Sequence, residues 1–402
     1  MEKELFSVAL GIQEPLYIKN IEFKSAEGEL HIDIDFLRGS RFDCVECNAI
    51  NQPVHDTIQK TWRHLNFFQY KCYIHMRTPR TKCPKCGERL WTPPWARKNS
   101  GFTILFEALV IALAKEMPIF QIANIVDEKD TRIWRIVRNY IDKAQASRDF
   151  SNVEKIGCDE TSSRKGHNYV TIFADMSNGK VLYATEGKDA TTIKKFAEEF
   201  PKHGANSAQI TEATIDMSPS FISGMNEYLP KAEVTFDKFH VIQLLNKAQD
   251  EVRRMEQSKN PLLKRTRYIW LKNPNNLSAK EAKSLESLRH ENLKTAKVYQ
   301  MKLTFQDIYR NINEPEAAEA AIKKWLSWAI RSRLDPVKRF AKSVKAHFGG
   351  ILRYFTSRLT SGTMEGINSR VQEVKRRARG FRNIHNFIAM IYLETGSVAL
   401  PT

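Results

Sequence analysis

Two Cys-x-x-Cys pairs constrain the first quarter of this chain more than any other feature of the sequence. The four residues concerned are Cys44, Cys47, Cys83 and Cys86, out of six cysteines in the chain. This paired spacing predicts one tetrahedral zinc site, which is structural because four thiolates leave no coordination position open for water. Four ordinary buried thiols are the alternative. His64 and His75 are the substitute ligands nearby, and Cys72 is expected in the core.

The residues around these pairs alternate between apolar and polar, which is typical of strands packed on one face. Residues 15–36 predict a β-hairpin, and a second strand pattern extends from Phe68 to Met76. Residues 1–95 are therefore predicted to form a zinc-binding, β-rich DNA-binding domain. A linker is expected over residues 91–100.

Helical periodicity begins after this linker and predicts three short helices over residues 96–150. The first carries an apolar stripe through Leu105 and Leu109, and the second starts at Pro118, since proline suits the first helical position. The third begins at Asp130. Its exposed face is expected to carry three arginines: Arg132, Arg135 and Arg138. This layout predicts a DNA-binding helix-turn-helix with a cationic recognition helix, and a plain three-helix packing unit is the alternative.

The charge balance of the chain indicates the class of partner. The net charge is +17, from 63 Lys and Arg against 46 Asp and Glu. Such an excess favours an anionic polymer, of which nucleic acid is the commonest and a membrane surface the competitor. The longest apolar run, residues 101–114, is too short to span a bilayer and contains Glu107. The first residues lack the pattern of a signal peptide, so we expect a soluble, cytoplasmic protein with no membrane partner.

An alternation of strands and helices follows from residue 153. Strand patterns at 155–161, 168–176 and 180–185 precede a helix, a fourth strand ending at Ile215, another helix and a fifth strand ending at Phe236. This is the element order of an RNase H-like sheet. In that order the first strand lies centrally, beside the fourth, so that acids on these two strands can converge.

The remaining sequence is helical in pattern and basic. Residues 246–355 are predicted to be an all-helical insertion, which divides the RNase H-like domain into residues 151–245 and 356–402. The predicted fold class is therefore multidomain α+β. It comprises a zinc-binding β-rich unit, a helix-turn-helix and an RNase H-like α/β catalytic domain interrupted by the insertion.

The helix predicted over residues 361–382 carries an acid near its start and many basic residues after it. Glu365 lies at its start, and Asn368 and Gln372 follow on the same face. The cations predicted to contact DNA are Lys375, Arg376, Arg377, Arg379 and Arg382. A carboxylate at the edge of such a surface suits a metal ion held against a phosphate backbone. A solvated amphipathic helix with a cationic face is the alternative.

Two further acids complete a candidate metal site with Glu365. Asp159 lies on the first predicted strand of the α/β region, and Asp216 ends the fourth. Phosphodiester cleavage by two Mg²⁺ or Mn²⁺ ions needs carboxylates that hold the cations roughly 3.5–4 Å apart. The alternatives are a strand-edge acid for Asp159 and a helix cap for Asp216. Glu160, the neighbour of Asp159, is expected to point to the opposite face of the sheet.

A series of motifs follows one another along nearly the whole chain. After the cysteine pairs and the helix-turn-helix come Gly-Cys-Asp159-Glu, Ile-Asp216-Met-Ser, Phe-Asp237-Lys-Phe-His240-Val, Met-Glu365-Gly-Ile-Asn368 and Arg-Ala-Arg379-Gly-Phe-Arg382-Asn. In this combination and order the sequence resembles the DDE transposases of the bacterial ISL3 insertion-sequence family. One departure is Asn48, directly after the first cysteine pair, where glycine is commoner.

The resemblance implies a catalytic function and its site. Asp159, Asp216 and Glu365 would be the catalytic, metal-binding triad, with two Mg²⁺ or Mn²⁺ ions. Independently of the resemblance, Asp237 ends a predicted strand beside the site, so it would be either a fourth metal ligand or, as we favour, a supporting residue outside the triad like His240 and Asn368.

The resemblance also implies the partners. The N-terminal units would bind the terminal inverted repeats in double-stranded DNA. The enzyme would cleave the element ends and join a 3′-hydroxyl to target DNA. A homodimer or larger assembly is expected, because two ends must be held together. When bound to DNA, the protein would be associated with the bacterial nucleoid.

Two other functions compete with this one. The first is a zinc and helix-turn-helix regulator whose C-terminal half only oligomerises. The complete triad and the basic helix behind Glu365 favour the enzyme. The second is another RNase H-type nuclease, such as a junction resolvase, against which the long helical insertion and the large N-terminal DNA-binding region argue.

Overall fold

The computed structural model describes residues 2–164, 168–359 and 362–396. Ser361, at the start of the predicted cationic helix, and residues 397–402, at the end of the predicted last domain, lie outside the described residues. The chain divides into two compact units, which meet in the sequence between Ile141 and Asp142.

The first unit combines a β-sheet with four helices. Its strands are β1 (Leu16–Lys24), β2 (Glu29–Phe36), β3 (Arg41–Phe42), β4 (Gln52–Arg63), β5 (Lys71–Cys83) and β6 (Gly87–Leu90). Its helices are α1 (Glu2–Leu10), α2 (Ile104–Glu116), α3 (Ile119–Ile125) and α4 (Asp130–Ala146), the last of which continues into the second unit.

The sheet of the first unit has the strand order β1-β2-β5-β4-β3, with β6 paired to β5. The predicted hairpin is confirmed, because β1 and β2 pair in antiparallel register. Alternate residues of β2 and β5 form the core of the sheet: Leu30, Ile32, Ile34, Cys72, Ile74 and Met76 are each at most 2% exposed. This burial of every second side chain is the reason that the strands can be recognised in the sequence.

The predicted start of the second strand pattern is too early in the chain. Phe68 is 82% exposed and adopts a left-handed φ of 52°, so the strand begins only at Lys71. The long strand β4 has no counterpart among the predicted elements. Its residues are mostly exposed or half-buried, and the sequence therefore lacks the apolar alternation that marks a strand.

The three helices of the predicted helix-turn-helix are α2, α3 and α4. In α2 the predicted apolar stripe is wrong, since Leu105 and Leu109 are 55% and 40% exposed, while Phe106, Val110 and Ile111 are buried. Apolar residues occupy almost every position of this helix, so periodicity could not distinguish its two faces. Helix α4 buries Ile133, Ile136, Val137 and Ile141, as its spacing predicted, whereas Tyr140, which the same spacing places in the core, is half-buried.

The second unit contains a sheet and many helices. Its strands are β7 (Lys155–Arg164), β8 (Asn168–Asp175), β9 (Lys180–Glu186), β10 (Glu212–Ile215) and β11 (Glu233–Phe236). Its helices are α5 (Ala190–Glu199), α6 (Pro219–Tyr228), α7 (Lys238–Gln257), α8 (Arg267–Leu271), α9 (Ala279–Arg289), α10 (Lys294–Asn311), α11 (Pro315–Arg331), α12 (Asp335–Ala346), α13 (Phe348–Ser357), α14 (Gly362–Arg377) and α15 (Ile384–Thr395).

The sheet of the second unit has the order β11-β10-β7-β8-β9. Strands β7, β8 and β9 pair in antiparallel fashion, whereas β10 is parallel to both β7 and β11. As predicted, the first strand of this unit lies centrally, beside the fourth. Strands β7, β10 and β11 run in the same direction, and β10 ends beside the middle of β7, where Thr214 pairs with Gly157.

Residues 246–355 contain no strand, in agreement with the sequence pattern. Helices α7 and α10 to α13 share one apolar core with the sheet, through residues such as Leu245, Phe305, Trp325 and Phe340. A smaller core surrounds Trp270 on α8. There the fully buried ammonium of Lys302 donates hydrogen bonds to the backbone oxygens of Trp270, at 2.8 Å, and of Leu271, at 3.0 Å.

Candidate active site and DNA-binding surfaces

Three aspartates meet at the edge of the sheet where β7, β10 and β11 lie side by side. Asp159 belongs to β7, whereas Asp216 and Asp237 directly follow the last residues of β10 and β11. All three line one small pocket, together with His240 and Met364. The parallel pairing of β10 with its two neighbours is what brings residues so distant in sequence together.

Asp159 is partly buried and is held from two sides. The Asn368 amide donates to its Oδ2 at 2.6 Å, and the backbone N–H of Glu160 donates to its Oδ1 at 2.7 Å. The His240 ring lies 3.9 Å from Asp159 and 3.7 Å from Asp237. Burial raises the pKa of Asp159, although these hydrogen bonds and the histidine oppose the rise. A nearby cation would therefore stabilise the ionised carboxylate.

Asp216 and Asp237 each accept a hydrogen bond from a nearby backbone N–H group. Asp216 accepts the backbone N–H of Ser218 at 2.9 Å, but Ser218 itself is the N-cap of α6, so Asp216 does not occupy the capping position considered from the sequence. Asp237 is the N-cap of α7 and accepts the backbone N–H of Phe239 at 2.8 Å. A carboxylate has two oxygens and several lone pairs, so one hydrogen bond leaves each acid able to bind a cation.

Glu365 occupies the first turn of α14 and is exposed. Its neighbour Met364 packs into the pocket of the three aspartates, but Glu365 is not among the residues that line it. Among the described residues, the ligand atoms of Asp159, Asp216 and Glu365 do not come within 4.8 Å of one another as a group. The structure thus brings Asp159 and Asp216 together and leaves Glu365 at the border of their pocket.

Gly157 explains how α14 approaches this border. A Cβ atom on Gly157 would lie 2.5 Å from the Met176 sulfur and 2.8 Å from both the Cγ and the sulfur of Met364. Only glycine therefore leaves room for the Met364 side chain against β7. This contact positions the first turn of α14, which carries Glu365 and, one turn later, Asn368.

Glu160 is a further candidate acid of this site, although strand alternation in the sequence places it on the opposite face of the sheet from Asp159. Burial raises its pKa, and the next cause is the charge of Asp216, followed further on by that of Asp159. Its carboxylate thus lies in the electrostatic field of the same cluster, although the alternation predicts the opposite face. The only signal in the sequence is its adjacency to Asp159.

The donor set of the pocket fits a hard divalent cation. It consists of carboxylate oxygens, which Mg²⁺ and Mn²⁺ prefer, and it includes a partly buried acid, Asp159, whose pKa is raised. Asp159, Asp216 and Asp237 have the donor type to hold such an ion, and Glu365 could complete the set from α14, although no three of these four acids have ligand atoms that all lie within 4.8 Å of one another.

A cationic groove adjoins the pocket along α14. Its lining residues include Arg164, Asn368, Gln372, Lys375, Arg376 and Arg379. Asn368 belongs both to this groove and to the hydrogen bond with Asp159, so the groove and the acids are neighbours. Arg164, at the end of β7, was not among the predicted DNA contacts, because nothing in the sequence links it to α14.

The predicted cations of this region differ in their surroundings. Lys375 donates to the Ser162 backbone oxygen at 2.6 Å, and Arg377 pairs with Glu394 at 3.0 Å, so both also stabilise the fold. The other three are exposed: Arg376, Arg379 and Arg382. The predicted helix extends too far, since α14 ends at Arg377 and is followed by left-handed φ angles at Arg379 and Gly380.

The four cysteines of the first unit form one cluster, whose sulfur atoms all lie within 4.8 Å of one another. The backbone N–H groups of Cys47 and Glu46 lower the pKa of Cys44 to about 7, which favours the thiolate, whereas the hydrogen bond with the Cys47 side chain raises the pKa of Cys86 to about 12. Asn48 and Gly87 follow the two pairs with matching left-handed φ angles of 55° and 73°. Asparagine tolerates this conformation, so its presence leaves the geometry of the first pair intact.

The other candidate zinc ligands serve other purposes. His64 shares a hydrogen bond of 2.9 Å with the Thr103 hydroxyl, and His75 bonds to His31 and Thr61. Cys72 is 2% exposed in the core of the sheet, as expected.

The arginines of α4 also differ from one another. Arg132 pairs with Glu128 and lies over the Phe102 ring at 4.3 Å. Arg138 is half-buried, whereas Arg135 is exposed. Of the three predicted DNA contacts on this helix, Arg135 is therefore the most accessible.

Three family models match successive parts of the chain. The zinc-finger of transposase IS204/IS1001/IS1096/IS1165 matches residues 40–86, and the helix-turn-helix domain of transposase family ISL3 matches residues 92–141. The ISL3 DDE transposase model, described as a transposase, matches residues 156–391, which is more than half of the chain. The chain belongs to the ISL3 transposase family. The predicted family, a structural zinc site, DNA binding and a DNA-cleaving and DNA-joining enzyme are thereby confirmed.

Curated relatives agree with this membership. The transposase for insertion sequence element IS1001 of Bordetella parapertussis is 26% identical over 362 residues, covering 87% of each chain. The transposase for insertion sequence element IS1557 of Mycobacterium tuberculosis is 25% identical over 429 residues, covering 97% of this chain and 94% of the relative.

One solved structure shows only a weak likeness to this chain. A chain from the cryoEM structure of the simian T-cell lymphotropic virus intasome in complex with PP2A regulatory subunit B56 gamma covers 46% of this transposase and 69% of its own length. The two chains are 12% identical, with a TM-score of 0.17. Within the described part of the transposase, no helix is long and apolar enough to cross a membrane.

Proposed function

We propose that this transposase cleaves DNA at the ends of its insertion sequence and joins the resulting 3′-hydroxyl to target DNA, with Asp159, Asp216 and Glu365 as its catalytic acids. One observation carries the proposal: Asp159, in the middle of β7, and Asp216, directly after β10, line one pocket, and that pocket adjoins a cationic groove through Asn368. Both reaction steps are in-line displacements at phosphorus, so a single site can serve both.

Two Mg²⁺ or Mn²⁺ ions bound by these acids would activate the attacking hydroxyl and stabilise the leaving oxygen. The residues of the chain prepare the site for them. Asn368 holds the Oδ2 of Asp159 in place, and His240 lies between Asp159 and Asp237. We favour a supporting role for Asp237, since it already caps α7.

The proposed architecture is an RNase H-like domain of residues 151–245 and 356–402, interrupted by an all-helical insertion over residues 246–355. The strand order of the second unit and the absence of strands from residues 246–355 support it. Before this domain in the chain we propose a zinc-finger domain over residues 1–95 and a helix-turn-helix domain over residues 96–150.

The DNA would be bound at two places. Arg376, Arg379 and Arg382, with Arg164, would contact phosphates near the acids, whereas the N-terminal unit would bind the terminal inverted repeats. Two ends must be joined in one event, so a homodimer or larger assembly on DNA is proposed. The working location would be the bacterial cytoplasm, on the nucleoid.

The deciding experiment is cleavage of a labelled transposon-end duplex with Mg²⁺ or Mn²⁺. Wild type is compared with Asp159→Asn, Asp216→Asn and Glu365→Gln, and gel shifts measure binding of the same duplex. We expect each variant to bind the end but not to cut it. Normal cutting by any one variant would remove that acid from the triad. A wild type that binds and never cuts would favour the regulator over the enzyme.

A further inference from the structure

Glu107 is the only acid in the apolar run of α2, and it is fully buried. Both of its oxygens lie 2.9 Å from the Arg97 Nε, which donates to them. The Ser100 hydroxyl donates at 2.6 Å and the Tyr140 hydroxyl at 2.7 Å. A buried carboxylate is tolerated only when such partners surround it, so these groups must stay together. One side chain thereby ties the segment after the zinc unit, through α2, to α4.

The backbone makes a second tie at the end of β4. The Arg63 N–H donates to the Gly101 oxygen at 2.9 Å, and the Thr103 N–H donates to the Arg63 oxygen at 3.0 Å. The segment before α2 thus pairs with the zinc-bearing sheet. The Arg63 guanidinium is buried as well, and it lies 5.4 Å from the ring of Phe106 on α2.

Ion pairs make further ties. Lys71, at the start of β5, pairs with Asp127 in the turn between α3 and α4. Lys98 pairs at 2.6 Å with Glu46, inside the first cysteine pair. In addition, Ala96 is 3% exposed and belongs to the core of the sheet. The stretch predicted as a linker between two domains is therefore packed and hydrogen-bonded rather than loose.

We propose that the zinc-bearing sheet and the helix-turn-helix bind the transposon end as one rigid body, in which Glu107 is the positioning residue that sets the direction of α4 through Tyr140. The DNA segment contacted by the zinc unit and the DNA segment contacted by α4 must then lie at a fixed distance from each other and at a fixed rotation about the DNA axis. The proposal rests on the proposed binding of terminal inverted repeats by this unit. It adds that the recognised DNA has two segments whose spacing the protein cannot adjust.

The test uses the full-length protein with its zinc. Hydroxyl-radical footprinting on a transposon end first defines the protected segments, and duplexes with 2, 5 or 10 extra base pairs between them are then prepared. Gel shifts measure Kd for each duplex and for unrelated DNA of the same length. For wild type we expect every insertion to weaken specific binding at least tenfold, because a rigid body cannot follow a shifted segment.

The matched variants are Glu107→Gln and Tyr140→Phe, which remove one charge and one hydroxyl with little change of volume. We expect both to weaken binding to the native end, to leave binding to unrelated DNA within twofold, and to reduce the penalty of the insertions. A merely structural role would lower binding to all duplexes alike. Should Glu107→Gln fail to fold, Tyr140→Phe carries the test.

The outcomes separate the two proposals. A wild type without preference for the transposon end would overturn the proposed function. Specific binding with a single protected segment, or with insertions tolerated within twofold, would overturn the rigid body alone. A penalty for insertions that is the same in wild type and in both variants would remove Glu107 as the positioning residue.

Discussion

The contact between Gly157 and Met364 allows a sharp test of how the active site is assembled. In Gly157→Ala, the added methyl group would meet sulfur and carbon atoms of Met176 and Met364 at 2.5–2.8 Å. Both methionines are flexible, so they would move at a cost typical of overpacked cores, about 1–3 kcal/mol. The first turn of α14 would move with Met364.

The effect on catalysis is expected to exceed the effect on stability. A shift of α14 displaces Glu365 and loosens the bond of 2.6 Å between Asn368 and Asp159. Misplacement of a catalytic group by about 1 Å can cost roughly 10²-fold in rate. We therefore expect end cleavage to fall by about tenfold to a hundredfold, while urea denaturation reports a decrease of about 1–3 kcal/mol in the free energy of unfolding.

Two further variants give this test its controls. Gly366→Ala lies on the same helix with nothing within 4 Å of an added Cβ, so it should preserve or slightly raise stability. Met364→Ala makes room for the methyl group, so Gly157→Ala and Met364→Ala together should cost less than the sum of their separate effects. Wild-type cleavage by Gly157→Ala, or strict additivity in the double variant, would refute the argument.

Three other predictions follow from single side chains. Replacing Arg376, Arg379 and Arg382 with alanine should weaken DNA binding and make the negative slope of log K against log salt shallower, by about 0.9 for each phosphate that is no longer neutralised. Gel shifts at several salt concentrations measure this slope. The control Lys323→Ala, which breaks a pair with Glu319, should leave both binding and slope unchanged. Cys83→Ser should reduce bound zinc from one ion per chain to none by elemental analysis and should abolish binding of the transposon end, whereas Cys72→Ser should retain the ion. Burial lowers the pKa of Lys302 to about 7 from its ordinary 10.5. Between these pH values the unfolded chain binds one more proton than the folded chain, so the free energy of unfolding of wild type should rise with pH across that range. Urea titrations at pH 6, 8 and 10 measure this rise, which should be absent in Lys302→Met.

The elements that could be predicted are those whose burial repeats regularly along the chain. Strand β2 and helix α4 each bury mainly one face, and such burial leaves a period in the sequence. Strand β4 and the register of α2 could not be predicted, because one is largely polar and the other apolar on nearly all sides. Their places are decided by the neighbours they pair with or pack against.

The residues of the candidate sites also divide into those that the sequence could predict and those that required the structure. Cysteine spacing alone identified the zinc ligands, because short loops bring each pair to one ion. Asp159, Asp216 and Glu365 were nominated by motif and strand order, and the proximity of Asp159 to Asp216 required parallel pairing between β7 and β10. Arg164 lines the cationic groove, and Glu160 lies in the electrostatic field of the neighbouring aspartates. Both facts depend on side-chain positions, for which the sequence carries no periodic signal.

The sequence by itself determined the types of unit, their order, the zinc ligands and the residues most suited to hold a divalent cation. These properties depend on local spacing and on chemical type, which a linear pattern records. Only the tertiary structure decided that Gly157 admits Met364 beside the acids, and that Glu107 joins the predicted linker to α4. Such contacts join residues far apart in the chain, and the closeness of distant side chains is set by packing alone.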